Sequence, residues 1–114
     1  MGNRASLEVA SGGSSVYLYT HWNGEVLPGV LKAGLIRGKS RWDDAAYLAR
    51  ILFCEMVKGV EMDTTGYGIS AGFCDGRLIT VDCDAQKVSW AGRSWSLPFA
   101  EFVALEKPTW GGVE

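Results

Sequence analysis

The sequence is poor in the residues from which small domains usually build reactive centres. It has one histidine, His21, and three cysteines, Cys54, Cys74 and Cys83, in 114 residues. No two cysteines form a Cys-x-x-Cys pair, and the four candidate ligands are scattered from position 21 to position 83. Structural zinc wants four soft ligands at tight spacing, so no metal and no cofactor is expected. Positive charge is also lacking. Eleven Lys and Arg against thirteen Asp and Glu leave a formal net charge of −2, which argues against a general nucleic-acid coat. No window approaches the ~20 consecutive apolar residues that span a bilayer, so no membrane association is expected. The opening Met1-Gly2-Asn3-Arg4-Ala5-Ser6 does not read as a signal peptide. With an odd cysteine count, that implies reduced thiols and the cytoplasm of a host cell. There is no Gly-x-Ser-x-Gly elbow, and any Ser-His-Asp or Cys-His arrangement would have to use His21. Catalysis is not expected.

What the chain does have is the composition of an ordinary globule, 47% hydrophobic and 21% charged, at the length of one domain. Ala5, Leu7 and Val9 alternate with Ser6 and Glu8, Ser11-Gly12-Gly13-Ser14 supplies a turn, and Val16-Tyr17-Leu18-Tyr19-Thr20 resumes the alternation. This predicts a hairpin. In its second strand Val16, Leu18, Thr20 and Trp22 share one face and Tyr17, Tyr19 and His21 the other, which suggests a central strand covered on both sides. Leu27, Leu31 and Leu35 mark one stripe of a helix, with Pro28 in its first turn and Gly38 at its end. Ala45, Leu48, Ala49, Leu52, Phe53 and Met56 mark a second over 43–58, capped by Ser40 or Asp43 and ended by Gly59.

From Tyr67 the period is two. A three-residue loop, Cys74-Asp75-Gly76, would pair Ala71 with Ile79 and Ile69 with Val81 and keep one face apolar. A further strand runs over 87–93, and Ser96-Leu97-Pro98 opens a short helix over 99–106. The order ββααβββα implies an α+β domain over 1–107, with one antiparallel sheet of about five strands and two to three helices. Residues 108–114 form a tail, loose or docked through Trp110.

Met1-Gly2-Asn3-Arg4-Ala5, followed by Val16-Tyr17-Leu18-Tyr19-Thr20-His21-Trp22-Asn23-Gly24, resembles a group of small, mostly uncharacterised bacteriophage and prophage proteins. These open on a Gly-Asn-Arg-Ala strand and carry a strand ending His-Trp-Asn-Gly. Thr64-Thr65-Gly66-Tyr67-Gly68-Ile69-Ser70 is similar to their glycine-containing middle strand. The likeness is close over the first 24 residues and loose beyond them. It implies a phage origin and no assigned reaction.

Three places could hold a ligand. His21-Trp22-Asn23, at a strand-to-helix junction, offers an imidazole and a stacking plate, or else Trp22 packs in the core and His21 satisfies a carbonyl. Lys32, Arg37, Lys39 and Arg41, with Trp42 next, are the only positive concentration. They would suit phosphate oxygens and a stacked base, or simply form a solvated loop. Thr65 and Tyr67, among glycines, could let a ligand approach the backbone, or those glycines could make room for packing. Arg4 starts the strand beside His21, so Arg4, His21, Trp22 and the basic loop would share one rim. Asp43-Asp44 reads as a helix start, and Asp82 with Asp84 as a turn.

Two functions follow. In the first, a non-catalytic phage protein binds a small anionic, nucleotide-derived ligand and sequesters a bacterial immune signal, an analogy from small phage proteins that counter host defence. A chain this short has little interior for a pocket, so a homo-oligomer enclosing the ligand is expected. In the second, a protein-binding inhibitor or adaptor uses Trp90, Trp95 and Trp110 as exposed anchors.

Overall fold

A computed structural model describes residues 3–73, 76–90 and 96–110. The first two strands are written into the sequence by alternation and by one dipeptide. β1 (Ala5–Ser11) and β2 (Ser14–Thr20) pair antiparallel from Ala5↔Thr20 to Ser11↔Ser14. Gly12 and Gly13 join them with φ of 60° and 83°, the left-handed pair that a two-residue hairpin turn requires.

A single 3₁₀ turn leads into α1 (Leu27–Arg37), whose Leu27, Leu31 and Leu35 are all buried. Pro28 sits in its first turn and Gly38 ends it. Gly34 weakens such a helix in isolation by about 1 kcal/mol, but here it is a contact point. A Cβ at Gly34 would stand 2.5 Å from Cδ2 of Leu52, so the missing side chain lets α1 lie close against α2 (Ala45–Met56). The cap of α2 is Asp44, whose carboxylate accepts from the Tyr47 amide at 3.2 Å. Neither Ser40 nor Asp43 takes that role, and the helix starts two residues later than its acidic pair suggests.

β3 (Tyr67–Ser70), β4 (Arg77–Asp82), β5 (Lys87–Trp90), β6 (Ser96–Pro98) and α3 (Phe99–Ala104) complete the chain. Among the described residues this is an α+β fold with three α-helices and a six-stranded mixed sheet, in the order β3-β2-β1-β4-β5-β6. The all-antiparallel five-stranded sheet is therefore corrected. No hairpin joins β3 to β4. β3 pairs with β2, Thr20 opposite Tyr67 and Tyr17 opposite Ser70, while β4 lies parallel to β1, with Leu7 beside Ile79 and Val9 beside Val81. The reason lies in β1, whose Ala5, Leu7 and Val9 are buried beneath the helices and need apolar neighbours on both sides. Ile79 and Val81 extend that row, whereas β3 is only four residues long. Ser96-Leu97-Pro98, expected to open a helix, is the sixth strand. Cys74, Asp75 and Arg93, parts of the expected loop and strand, lie outside the described residues.

The helices pack on one face of the sheet, and their leucines join Leu7, Leu18, Ile79, Val81, Val88, Phe99 and Phe102 in one core. No described helix covers the other face, so the second layer expected over β2 is not found among the described residues. On that open face Glu8 is half-buried and accepts hydrogen bonds from Ser15 Oγ (2.6 Å), Thr80 Oγ1 (3.0 Å) and the Tyr17 hydroxyl (3.3 Å). Trp110 reaches back to the start of the fold, donating Nε1–H to the Gly24 carbonyl at 2.6 Å. No helix among the described residues is long and apolar enough to cross a membrane.

Candidate functional site

The corner where β1, β2 and β3 meet the first helical turn gathers six of the sequence-predicted residues. Arg4 precedes and His21 follows Ala5↔Thr20, the pair at which the β1–β2 ladder ends. By alternation both belong to the open face with Ser6 and Tyr19. The corner is closed by backbone bonds, from Asn3 N–H to the His21 carbonyl and from His21 N–H to the Gly66 carbonyl, each 2.8 Å. The Tyr19 hydroxyl lies 2.8 Å from His21 Nδ1. With the hydroxyl donating, the ring proton of a neutral imidazole sits on Nε2 and points away from Tyr19.

Trp22 meets His21 edge to face, 4.4 Å between ring centres, and keeps 54% of its surface exposed. Its indole lies on Gly66. A Cβ there would fall 2.1 Å from Trp22 Nε1, and Gly66 has φ of +95°, so both contact and conformation call for glycine. Asn23 and Tyr67 come together as well, but they satisfy each other: Asn23 Nδ2 donates to the Tyr67 hydroxyl at 2.7 Å. That bond, with Asn23 N–H donating to Thr20 Oγ1 (3.1 Å), ties the β2 exit to β3. Thr65 is exposed one residue from Gly66.

The remaining four predicted residues are elsewhere. Arg37, Lys39, Arg41 and Trp42 lie at or beyond the C-terminal end of α1, while the corner adjoins its N-terminal end. Eleven helical residues separate the two by ~16 Å. The single rim expected from the sequence is thus two sites, and the basic one is largely committed to the fold. Arg37 is paired with Glu55 (2.9 Å) and donates to the Ile51 carbonyl. Arg41 sits 4.7 Å above the Tyr47 ring. Lys32, earlier on α1, caps the Leu105 and Glu106 carbonyls. Trp42 donates to the Leu35 carbonyl at 2.9 Å and packs on Phe99. Lys39 lines a hollow of about 280 Å³ with Ile36, Trp42, Ala100 and Val103.

The expected protein-binding anchors fare similarly. Trp90 is 3% exposed and Trp110 is docked; Trp95 lies outside the described residues. Cys83 is buried, and burial together with Asp82, Asp84 and Asp44 pushes its thiol up to about 11, so it packs as a neutral side chain. No group of three His, Cys, Asp or Glu among the described residues could hold a metal ion.

Two residues of the corner went unread in the sequence. Tyr19 was visible as a same-face neighbour of His21, two residues away on a strand, which places a hydroxyl beside the ring. Arg77 carried no local signal, because its partners are remote. It reaches Glu25 at 3.1 Å and stacks 4.3 Å over the Trp110 ring. No family model, curated protein or solved structure matches the chain.

Proposed function

We propose that this protein is a non-catalytic binder of a small anionic ligand carrying a flat, nucleotide-like group, held at the Arg4–His21–Trp22 corner. The observation that carries the reading is the Tyr19 hydroxyl at His21 Nδ1, which fixes the ring beside a half-exposed indole and leaves Nε2 as the ring nitrogen on the far side from that bond. Arg4, exposed on the same face, supplies the charge that a phosphate oxygen needs. Trp22 supplies the plate, pre-set by its seat on Gly66. In the phage setting that the N-terminal resemblance implies, such a binder acts by stoichiometry, withdrawing a nucleotide signal from the host.

Thermal denaturation with adenosine diphosphate, and with inorganic phosphate as the control for charge alone, tests this. A ligand at a hundred times its Kd adds about 2.7 kcal/mol of stability. The diphosphate should stabilise the wild type, and Arg4→Ala and Trp22→Ala should each abolish the shift. Arg41→Ala should leave it intact. No shift with the nucleotide, or a shift kept in both corner variants, contradicts the reading.

A further inference from the structure

The two edges of the sheet are not alike. β6, at one edge, is three residues long, contains Pro98 and runs straight into α3, devices that discourage further strand pairing. β3, at the other, is also short at four residues, but it has no proline and leads into no helix, and the chain from Thr64 to Phe73 holds no charged residue. Four of the seven exposed large apolar side chains among the described residues lie on β3, in the segments beside it or against Gly66. Ile69 is 61% exposed on β3 itself, Met62 91% in the segment before it and Phe73 53% in the segment after it, and Trp22 rests on Gly66 at its start. Together these four leave ~500 Å² of apolar side chain in water. A standard interface takes ~800 Å² per partner, so the patch supplies much of one side and a main-chain ladder the rest.

The hydrogen bonds of β3 fix what that ladder can be. His21 N–H bonds to the Gly66 carbonyl, and in antiparallel pairing the residues that bond to a neighbour alternate. Gly66 and Gly68 therefore bond towards β2, while Tyr67 and Ile69 turn their N–H and C=O groups to the free edge. We infer that two copies of this chain associate through β3, antiparallel about a twofold axis at Gly68, with Tyr67 of each opposite Ile69 of the other. This register keeps the helix-bearing faces on the same side and uses every outward main-chain group of β3. A register one residue off would place helix-face residues against open-face residues. Because β6 is guarded, the one unguarded edge pairs with itself, a closed arrangement that leaves no edge for growth. Gly66 then lies opposite Ser70 of the partner subunit, which brings each Trp22 corner up to the interface. The inference stands independently of the ligand proposal.

Sedimentation equilibrium on the full chain should give twice the chain mass. Ile69→Lys should give the monomer mass with an unchanged circular dichroism spectrum, since Ile69 is mostly in solvent. The register has its own test, useful if that variant fails to fold. A side chain at Gly68 meets nothing within 4 Å, so Gly68→Cys in a Cys54→Ser, Cys74→Ser background should oxidise to a symmetric interchain disulfide. Ile69→Cys, offset across the axis, should not. A monomer up to about 1 mM chain overturns the inference. So does a dimer that survives Ile69→Lys without cross-linking at position 68, because it then uses another surface. Binding of an unrelated extended peptide by a monomeric chain would likewise show β3 to be an acceptor edge for other proteins.

Discussion

Single side chains set most of the chemistry of the open sheet face, and Glu8 is the centre of it. Three hydroxyls, from Ser15, Thr80 and Tyr17, donate to its carboxylate. Tyr17 feels the result: burial first, then the charge of Glu8 and the hydrogen bond to it, push its phenol above the usual value of 10.0. A folded pKa raised above the unfolded one contributes stability below pH ~10 that is lost as pH rises through the folded value. Glu8→Gln should therefore lower the Tyr17 titration, read from its ring carbons by NMR, while leaving the part due to burial. An unchanged titration would mean that the carboxylate does not act on the phenol. Cys83 gives a second prediction at this scale. In a Cys54→Ser, Cys74→Ser background its thiol should react with a disulfide reagent only at the rate of unfolding, because the thiolate is both shielded and disfavoured; fast labelling at pH 8 would contradict its place in the core.

Between elements, the fold depends on a few clamps. Asp84, past the end of β4, accepts from Gly12 N–H (2.7 Å) and Ser11 Oγ (2.9 Å), fastening the β1–β2 turn to the neighbouring strand. The backbone bond from Gly12, followed by the Ser11 hydroxyl, holds its carboxyl below the usual range. A lowered folded pKa gives stability that is present above the unfolded value and lost as pH falls through the folded one. The difference in melting temperature between wild type and Asp84→Asn should thus be full at pH 7 and shrink below about pH 4. A constant difference would show that the charge plays no part. Gly34→Ala pits ~1 kcal/mol of helix propensity against Leu52. The variant should lose ~1–3 kcal/mol in urea denaturation, the range for overpacking, and a gain would mean that α1 and α2 give way freely.

Elements are also where the limits of the sequence show. The hairpin, α1 and α2 were legible because period and turn residues are local properties. The pairing of β4 with β1 was not: alternation tells which residues share a face, and the Ala71–Ile79 hairpin satisfied that test as well as the true partner did. What decides is the burial of β1 on both flanks, a long-range demand that no window of sequence contains. The basic run from Lys32 to Arg41 misled for a similar reason. Its charges are adjacent in sequence, but Glu55, Tyr47 and the end of α3, which take up three of them, are brought by folding.

For the whole molecule, the corner proposed to bind lies at one end of α1 and structural cation pairing at the other, with the edge strand β3 beside that corner. Arg4, His21 and Trp22 were readable as candidates because strand alternation and chain order put them side by side. Their separation from Arg37, Lys39, Arg41 and Trp42 followed only once α1 was seen to stand between. Tryptophan indoles report on both ends of α1 at once. In a ¹H–¹⁵N NMR titration with adenosine diphosphate, the Trp22 Nε1–H signal should shift saturably while that of Trp42, bonded to the Leu35 carbonyl, stays in place. A shift of Trp42 with Trp22 unmoved, or of neither, would contradict the assignment of binding to the His21 corner.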